Sequence, residues 1–261
     1  MSSPEMVVAA LNTTPIKGLR IAARRQATLE RGGLRGDRRF FLIDERGRMV
    51  NGKHVGDLNR VIADLDEPEE VLSLTFPDGR LLSAPVELGA ELQASFFSST
   101  RLARLVEGPL SAALSEHAGQ ALRLVAPADG SSAIDRGARG AVSIISSASL
   151  GALARAAGEP WIDARRFRMS IEVSGTEAHA EDGWIGRDLV IGAARVHLLG
   201  HVGRCIITSR HPESGLVDLP TLDILRDYRA GAETTEPLAF GVHGAVVGEG
   251  SVSVGDRVRL A

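Results

Sequence analysis

Cys205 is the only cysteine in this chain of 261 residues. It lies in "HVGRCIITSRHPESG", residues 201–215, with Arg204 before it and Ile206-Ile207 after it. The apolar side fits burial, because a free Cys is among the most buried residue types. The basic side favours a thiolate, the form that attacks or ligates. Composition by itself reads Cys205 as a core thiol.

Arginine supplies the second chemical feature. "GLRGDRRFF" groups Arg35, Arg38 and Arg39, and "ARRFRMS" groups Arg165, Arg166 and Arg168. In an extended segment residues two apart share a face, so Arg166 and Arg168 are expected to point the same way. A guanidinium is a rigid fork of donors suited to phosphate or carboxylate. Two readings stand: the clusters form a local anion pocket, or they are solvated, salt-bridged surface arginines, the default for exposed charge.

Other constellations are weaker. The histidines show no HExxH or other metal spacing. A zinc site from His201, Cys205 and His211 would need ligands that an extended strand holds about 13 Å apart. Glu181 and Asp182 in "AEDGW" are adjacent and face opposite ways on a strand, so they do not make an acid/base pair by themselves. "GEGSVSVG" lacks the strand-to-helix context of a phosphate loop, and no GxSxG is present.

The elements that must position these residues read as mainly β. Strands are expected at 7–11, 39–44, 60–66, 170–175, 187–200, 204–209, 239–247 and 252–260, with a hairpin over 71–85 turning at Pro77-Asp78-Gly79. Helices are expected at 109–119, 146–158 and 220–230, the first two stopped by Gly119 and Gly158. The stretch 126–141, rich in Gly, Ser and Asp, reads as a mobile loop that helps shape an entrance. A change of character near 95–120 divides a smaller β region from a larger one, giving expected units of 1–95, 96–120 (a connecting segment with a helix) and 121–261.

Composition narrows the function. A net charge of -3 and 4% aromatic residues argue against nucleic acid and anionic membranes as partners. No apolar run reaches the roughly 18 residues of a transmembrane helix, and the first residues do not read as a signal peptide. One cysteine forms no internal disulfide, so a cytoplasmic location is the simplest expectation. Nor can one cysteine hold an iron–sulfur cluster, which takes four protein ligands that are mostly thiolates.

Taken together, "ARRFRMSIEVSG", "AEDGWIGRDLVIGAARVHLLGHVGRCIITSRHPESG", "LDILRDYR" and "FGVHGAVVGEGSVSVGDRVRL" resemble a MOSC domain. "TPIKGLRI" and "ERGGLRGDRRFFLIDERGRMV" resemble the N-terminal β-barrel domain found in the amidoxime-reducing and hydroxylaminopurine-resistance proteins of that family. The resemblance implies a mixed β-barrel of the kind described in pyruvate kinase, preceded by the smaller barrel, with a few helices (α+β, mainly β). It implies a molybdenum cofactor, a molybdopterin, with Cys205 as the metal ligand, and a soft thiolate suits that role. By motif position, Lys17, Arg38, Arg168, Ser170 and Arg204 fall on cofactor-binding sites, and Asp182 on a catalytic position near the metal.

The chain also departs from the family pattern. Gly18 stands for a serine, Met169-Ser170 for Pro-Asn, Val202 for a cysteine, and Arg210-His211 for a small apolar residue and an acid. The implied activity is molybdenum-dependent reduction of a small N-oxygenated substrate, with electrons from an external donor protein of ferredoxin or flavin reductase type. The alternative is a carrier of the cofactor, or of sulfur on Cys205. No pyridoxal phosphate desulfurase domain is expected in this chain.

Overall fold

A computed structural model describes residues 5–96, 99–131 and 137–261. The fold is mainly β, with a barrel-like N-terminal part and three α-helices among the described residues. The run "FFLI" shows how sequence and layers agree. Successive residues of a strand face opposite ways. Phe40 and Leu42 therefore enter one core with Ile16, Leu58, Leu72 and Leu124. Phe41 and Ile43 enter another with Phe96, Ala103 and Val125. All four are fully buried, so the segment is apolar throughout rather than alternating.

Two sheets carry the N-terminal part. One has the order Leu88–Phe96, Ser99–Val106, Arg123–Pro127, Phe41–Ile43, Met49–Val50; the other is the meander Ile62–Asp66, Val71–Thr75, Leu81–Pro85. The larger C-terminal sheet has eight strands, ordered Val258–Leu260, Asp188–Ile191, Ala194–Gly203, Ala239–Gly248, Val142–Ser146, Ile171–Ser174, Val7–Thr13, Ala22–Arg24. Strand pairing does not follow a division near residue 120. Val7–Thr13 pairs with Ile171–Ser174, Gln26–Glu30 pairs with Gly250–Ser253, and Arg123–Pro127 pairs with Phe41–Ile43. These three pairings lie in three different sheets, the second of which also holds Gly33–Leu34, and each joins distant parts of the chain.

The helices form where their signals lie. Leu110–Ala118 starts after Pro109 and ends at Gly119. Ser147–Ala157 is capped by Ser146, whose hydroxyl accepts from the Ser149 N–H at 3.0 Å. Its buried face is Leu150, Leu153 and Ala154. With Leu225 of the helix Thr221–Tyr228, it covers Ile145, Phe167, Met169 and Phe240.

Several strand expectations are corrected. The stretch 187–200 is not one strand but a hairpin, Asp188–Ile191 and Ala194–Gly203, turning at Gly192-Ala193. The stretch 252–260 divides into Gly250–Ser253 and Val258–Leu260. Residues 204–209 are not a strand: the strand ends at Gly203, and Ile206–Ser209 is a 3-10 turn. Ala164–Phe167 is likewise a 3-10 turn, so Arg166 and Arg168 do not share a face. Of the loop expected over 126–141, residues 132–136 lie outside the described residues. Ala126 and Pro127 finish a strand, and Ala138–Gly140 is a 3-10 turn.

Candidate functional site

The pairing of Val7–Thr13 with Ile171–Ser174 brings the start of the chain beside Met169. From there, backbone bonds fix the next turn: Arg38 N–H to Thr14 O at 2.7 Å, Phe40 N–H to Pro15 O at 2.9 Å, and Lys17 N–H to Phe40 O at 2.8 Å. Lys17 and Arg38, far apart in the sequence, thus enter one cleft of about 430 Å³. Its other walls come from Asn51-Gly52-Lys53, Gly140-Ala141, Ser143, Phe167–Met169 and residues 202–208, which include Cys205.

Cys205 is exposed, and it sits where the strand Ala194–Gly203 has ended and the turn Ile206–Ser209 begins. At that strand end the residue lines the cleft. The reading of Cys205 as a core thiol is overturned.

The electrostatics of the cleft are one-sided. Among the described residues no carboxylate lines it, while Lys17, Arg38, Lys53, Arg168 and Arg204 do. Arg38 has φ 49, lies against the buried Asp37 carboxylate, and donates from Nη2 to the Arg168 carbonyl at 2.8 Å. Asp37 also accepts the Thr14 N–H at 2.8 Å, which anchors the pair to the backbone. Arg168 has φ 55, and its Nη2 is shielded from water with no hydrogen-bond partner. Its pKa is pulled well below the usual guanidinium range to about 9, by burial foremost and by repulsion from Arg38, against the pull of Asp37 and Cys205. A half-buried cation with one shielded, unsatisfied N–H and that bias is poised to gain from an anion.

Arg204 also lines the cleft, but its guanidinium is spent on the fold. It donates to Phe240 O at 2.8 Å, to Phe167 O at 2.9 Å and to Met169 Sδ at 2.9 Å, and it lies 5.3 Å from the Phe167 ring centre. It ties the segment that carries Cys205 to those of Phe167–Met169 and Phe240. Ser170 is buried and does not line the cleft; its hydroxyl is 3.1 Å from that of Ser143, which does.

Asp182 does not line the cleft either. Its Oδ2 accepts from Arg229 at 2.6 Å, and its Oδ1 is 3.4 Å from Nε2 of His201. His201 points to that side while its neighbour Val202 lines the cleft. Asp182 therefore stands behind the strand Ala194–Gly203. His201 binds Thr235, and His211 accepts from Glu213 and Ser214, so the zinc triad does not assemble.

The arginine clusters divide between the two readings. Arg38 and Arg168 face the cleft. Arg35 pairs with Glu30, Arg39 with Glu70, and Arg165 with Asp163. Arg166, 8% exposed, makes a two-pronged pair with Asp218 at 2.6 Å on each arm. Asn51, Lys53, Ser143 and Thr208 carry no motif, and only folding brings them to the cleft.

Gly18 has φ +92, and a Cβ there would lie 2.4 Å from the Asn51 Cβ. The backbone of this chain leaves no place for the serine of the family pattern.

Comparisons with known proteins bear on the family. The model of the MOSC N-terminal beta barrel domain matches residues 5–113, and that of the MOSC domain matches residues 131–259. Mitochondrial amidoxime-reducing component 1 of Xenopus laevis is 26% identical over 284 residues, 97% of this chain and 81% of that protein. Mitochondrial amidoxime reducing component 2 of Homo sapiens is 36% identical over 98 residues, 35% of this chain and 29% of that protein. Among solved structures, the YuaD protein from Bacillus subtilis aligns over 100% of this chain and 98% of its own, with a TM-score of 0.48 and 13% identity. With both domain models matched in order over nearly its whole length, the chain belongs to the MOSC family.

Proposed function

We propose that this protein holds a molybdenum cofactor through Cys205 and uses it to reduce N-hydroxylated compounds. The observation that carries the reading is the pairing, in one cleft, of an exposed thiol with Arg168, whose shielded Nη2 has no hydrogen-bond partner. The donor set fits the group: a soft thiolate for the metal and convergent cations for an anionic tail. The family match and the relatives named for amidoxime reduction support the same reading.

When bound, such a group supplies two-electron chemistry that takes an oxygen from an N–O bond. The residues of this chain do the rest. Cys205 presents its sulfur to the cleft, Lys17, Arg38 and Arg168 hold the anionic tail, and Arg204 ties the ligand's own segment to Phe167 and Phe240. In the net reaction the N–O bond breaks, the oxygen leaves as water, and two electrons and two protons are consumed. The electrons come from an external donor protein. No helix among the described residues is long and apolar enough to cross a membrane.

The test is metal content and turnover of Cys205→Ser, purified from a host that makes the cofactor. We expect about one molybdenum per chain in the parent and none retained in the variant, with turnover of an amidoxime abolished. Equal turnover in the variant would refute the reading.

A further inference from the structure

Three cations, Lys17, Arg38 and Arg168, serve the cofactor reading. Lys53 is a fourth, and nothing above uses it. It is exposed, it lines the cleft, and among the described residues it has no carboxylate partner. That sets it apart from the small neighbouring crevice lined by Arg20, Arg165 and Arg166, where Glu213, Asp163 and Asp218 already neutralise the arginines.

The position of Lys53 is fixed. Its N–H donates to Asn51 Oδ1 at 2.9 Å. Its carbonyl accepts from Arg210 Nη2 at 3.3 Å, while Arg210 Nη1 donates to Gly215 O at 2.7 Å. The two loops touch so closely that a Cβ on Gly215 would lie 2.1 Å from Gly56 O. Arg210 thus clamps the Lys53 loop against the loop that follows Cys205. A small apolar residue, which the family pattern places at 210, could not make these bonds. An uncompensated cation on a fixed loop, in a cleft that no acid lines among the described residues, concentrates the field on an incoming anion.

We propose that the Lys53 end of the cleft is an anion subsite for the substrate, which takes a carboxylate or phosphate carried by the N-hydroxylated molecule. The proposal rests on the reductase reading, naming the substrate class of the same cleft. A second source of the same chemistry is a further phosphate on the cofactor tail, and the experiment separates the two.

The probes are an aryl amidoxime and its para-carboxylate analogue, used with the molybdenum-replete protein. Dissociation constants are measured by calorimetry without an electron donor, and kcat/KM with one. We expect the carboxylate probe to bind about tenfold more tightly than the neutral one, the order a single charge-assisted contact provides. Lys53→Gln should bring that ratio to about one, and Lys53→Arg should keep it. Arg210→Val, which frees the loop, should lower it several-fold. A ratio near one in the parent, or one unmoved by Lys53→Gln, overturns the proposal. Loss of molybdenum or pterin from Lys53→Gln assigns the anion to the cofactor tail and also overturns it. If the tenfold ratio is found without turnover, the subsite stands and the reductase reading falls.

Discussion

Arg168 is held at a cost to the cofactor-free protein, and that cost is measurable. The side chain is charged in a site that disfavours charge, beside Arg38 and with Nη2 unpartnered. A fall from the usual guanidinium range to about 9 corresponds to roughly 5 kcal/mol at about 1.36 kcal/mol per pH unit. The cleft opens to water and the site can relax, so the net gain from removing the charge is smaller, about 1–3 kcal/mol. Arg168→Met keeps an unbranched side chain of similar reach at the same φ. We expect cofactor-free Arg168→Met to be more stable than the parent by that amount in guanidinium denaturation at pH 7.5, or by roughly 2–4 °C per kcal/mol. Sulfate should stabilise the parent and not the variant. The pH dependence has a definite sign. Below pH 9 the folded parent carries the full penalty. Above it the folded state releases a proton that the unfolded state keeps, so the parent gains stability and the gap to the variant narrows. A variant less stable than the parent at pH 7.5, with an equal response to sulfate, would refute the account.

Two further outcomes follow from the same geometry. Gly18→Ser, which restores the residue of the family pattern, should destabilise this chain by about 2–4 kcal/mol in denaturant titration, because φ +92 and the Asn51 Cβ at 2.4 Å leave no room for a side chain. Asp182→Asn should keep its molybdenum by metal analysis yet lose about 1–3 kcal/mol of stability, since the carboxylate pairs with the largely buried Arg229 behind the cleft.

Much of the fold could be read from local signals. The helices Leu110–Ala118 and Ser147–Ala157 lie where Pro109, Gly119, Ser146 and Gly158 mark their ends. The hairpin Val71–Thr75 with Leu81–Pro85 lies where Pro77-Asp78-Gly79 predicts a turn. Less legible were the short 3-10 turns Ala164–Phe167 and Ile206–Ser209. Their residues, "ARRF" and "IITS", carry no breaker that separates a turn from a strand. Those two turns decide the site, because they turn Arg168 into the cleft and Arg166 away from it, and they leave Cys205 exposed at a strand end.

The sequence by itself determined that the chain is mainly β, that it has one thiol, and that its ordered motifs place it in a family. It determined which residue types were available to meet an anion. Only the tertiary structure decided which of them do. The order of strands in the eight-stranded sheet carries residues 14–17 to residues 167–169, a closure that local propensity cannot encode. The balance of each cation between a carboxylate and an open cleft was likewise settled by packing: Arg39 found Glu70, Arg166 found Asp218, and the Arg168 guanidinium kept an N–H without a partner.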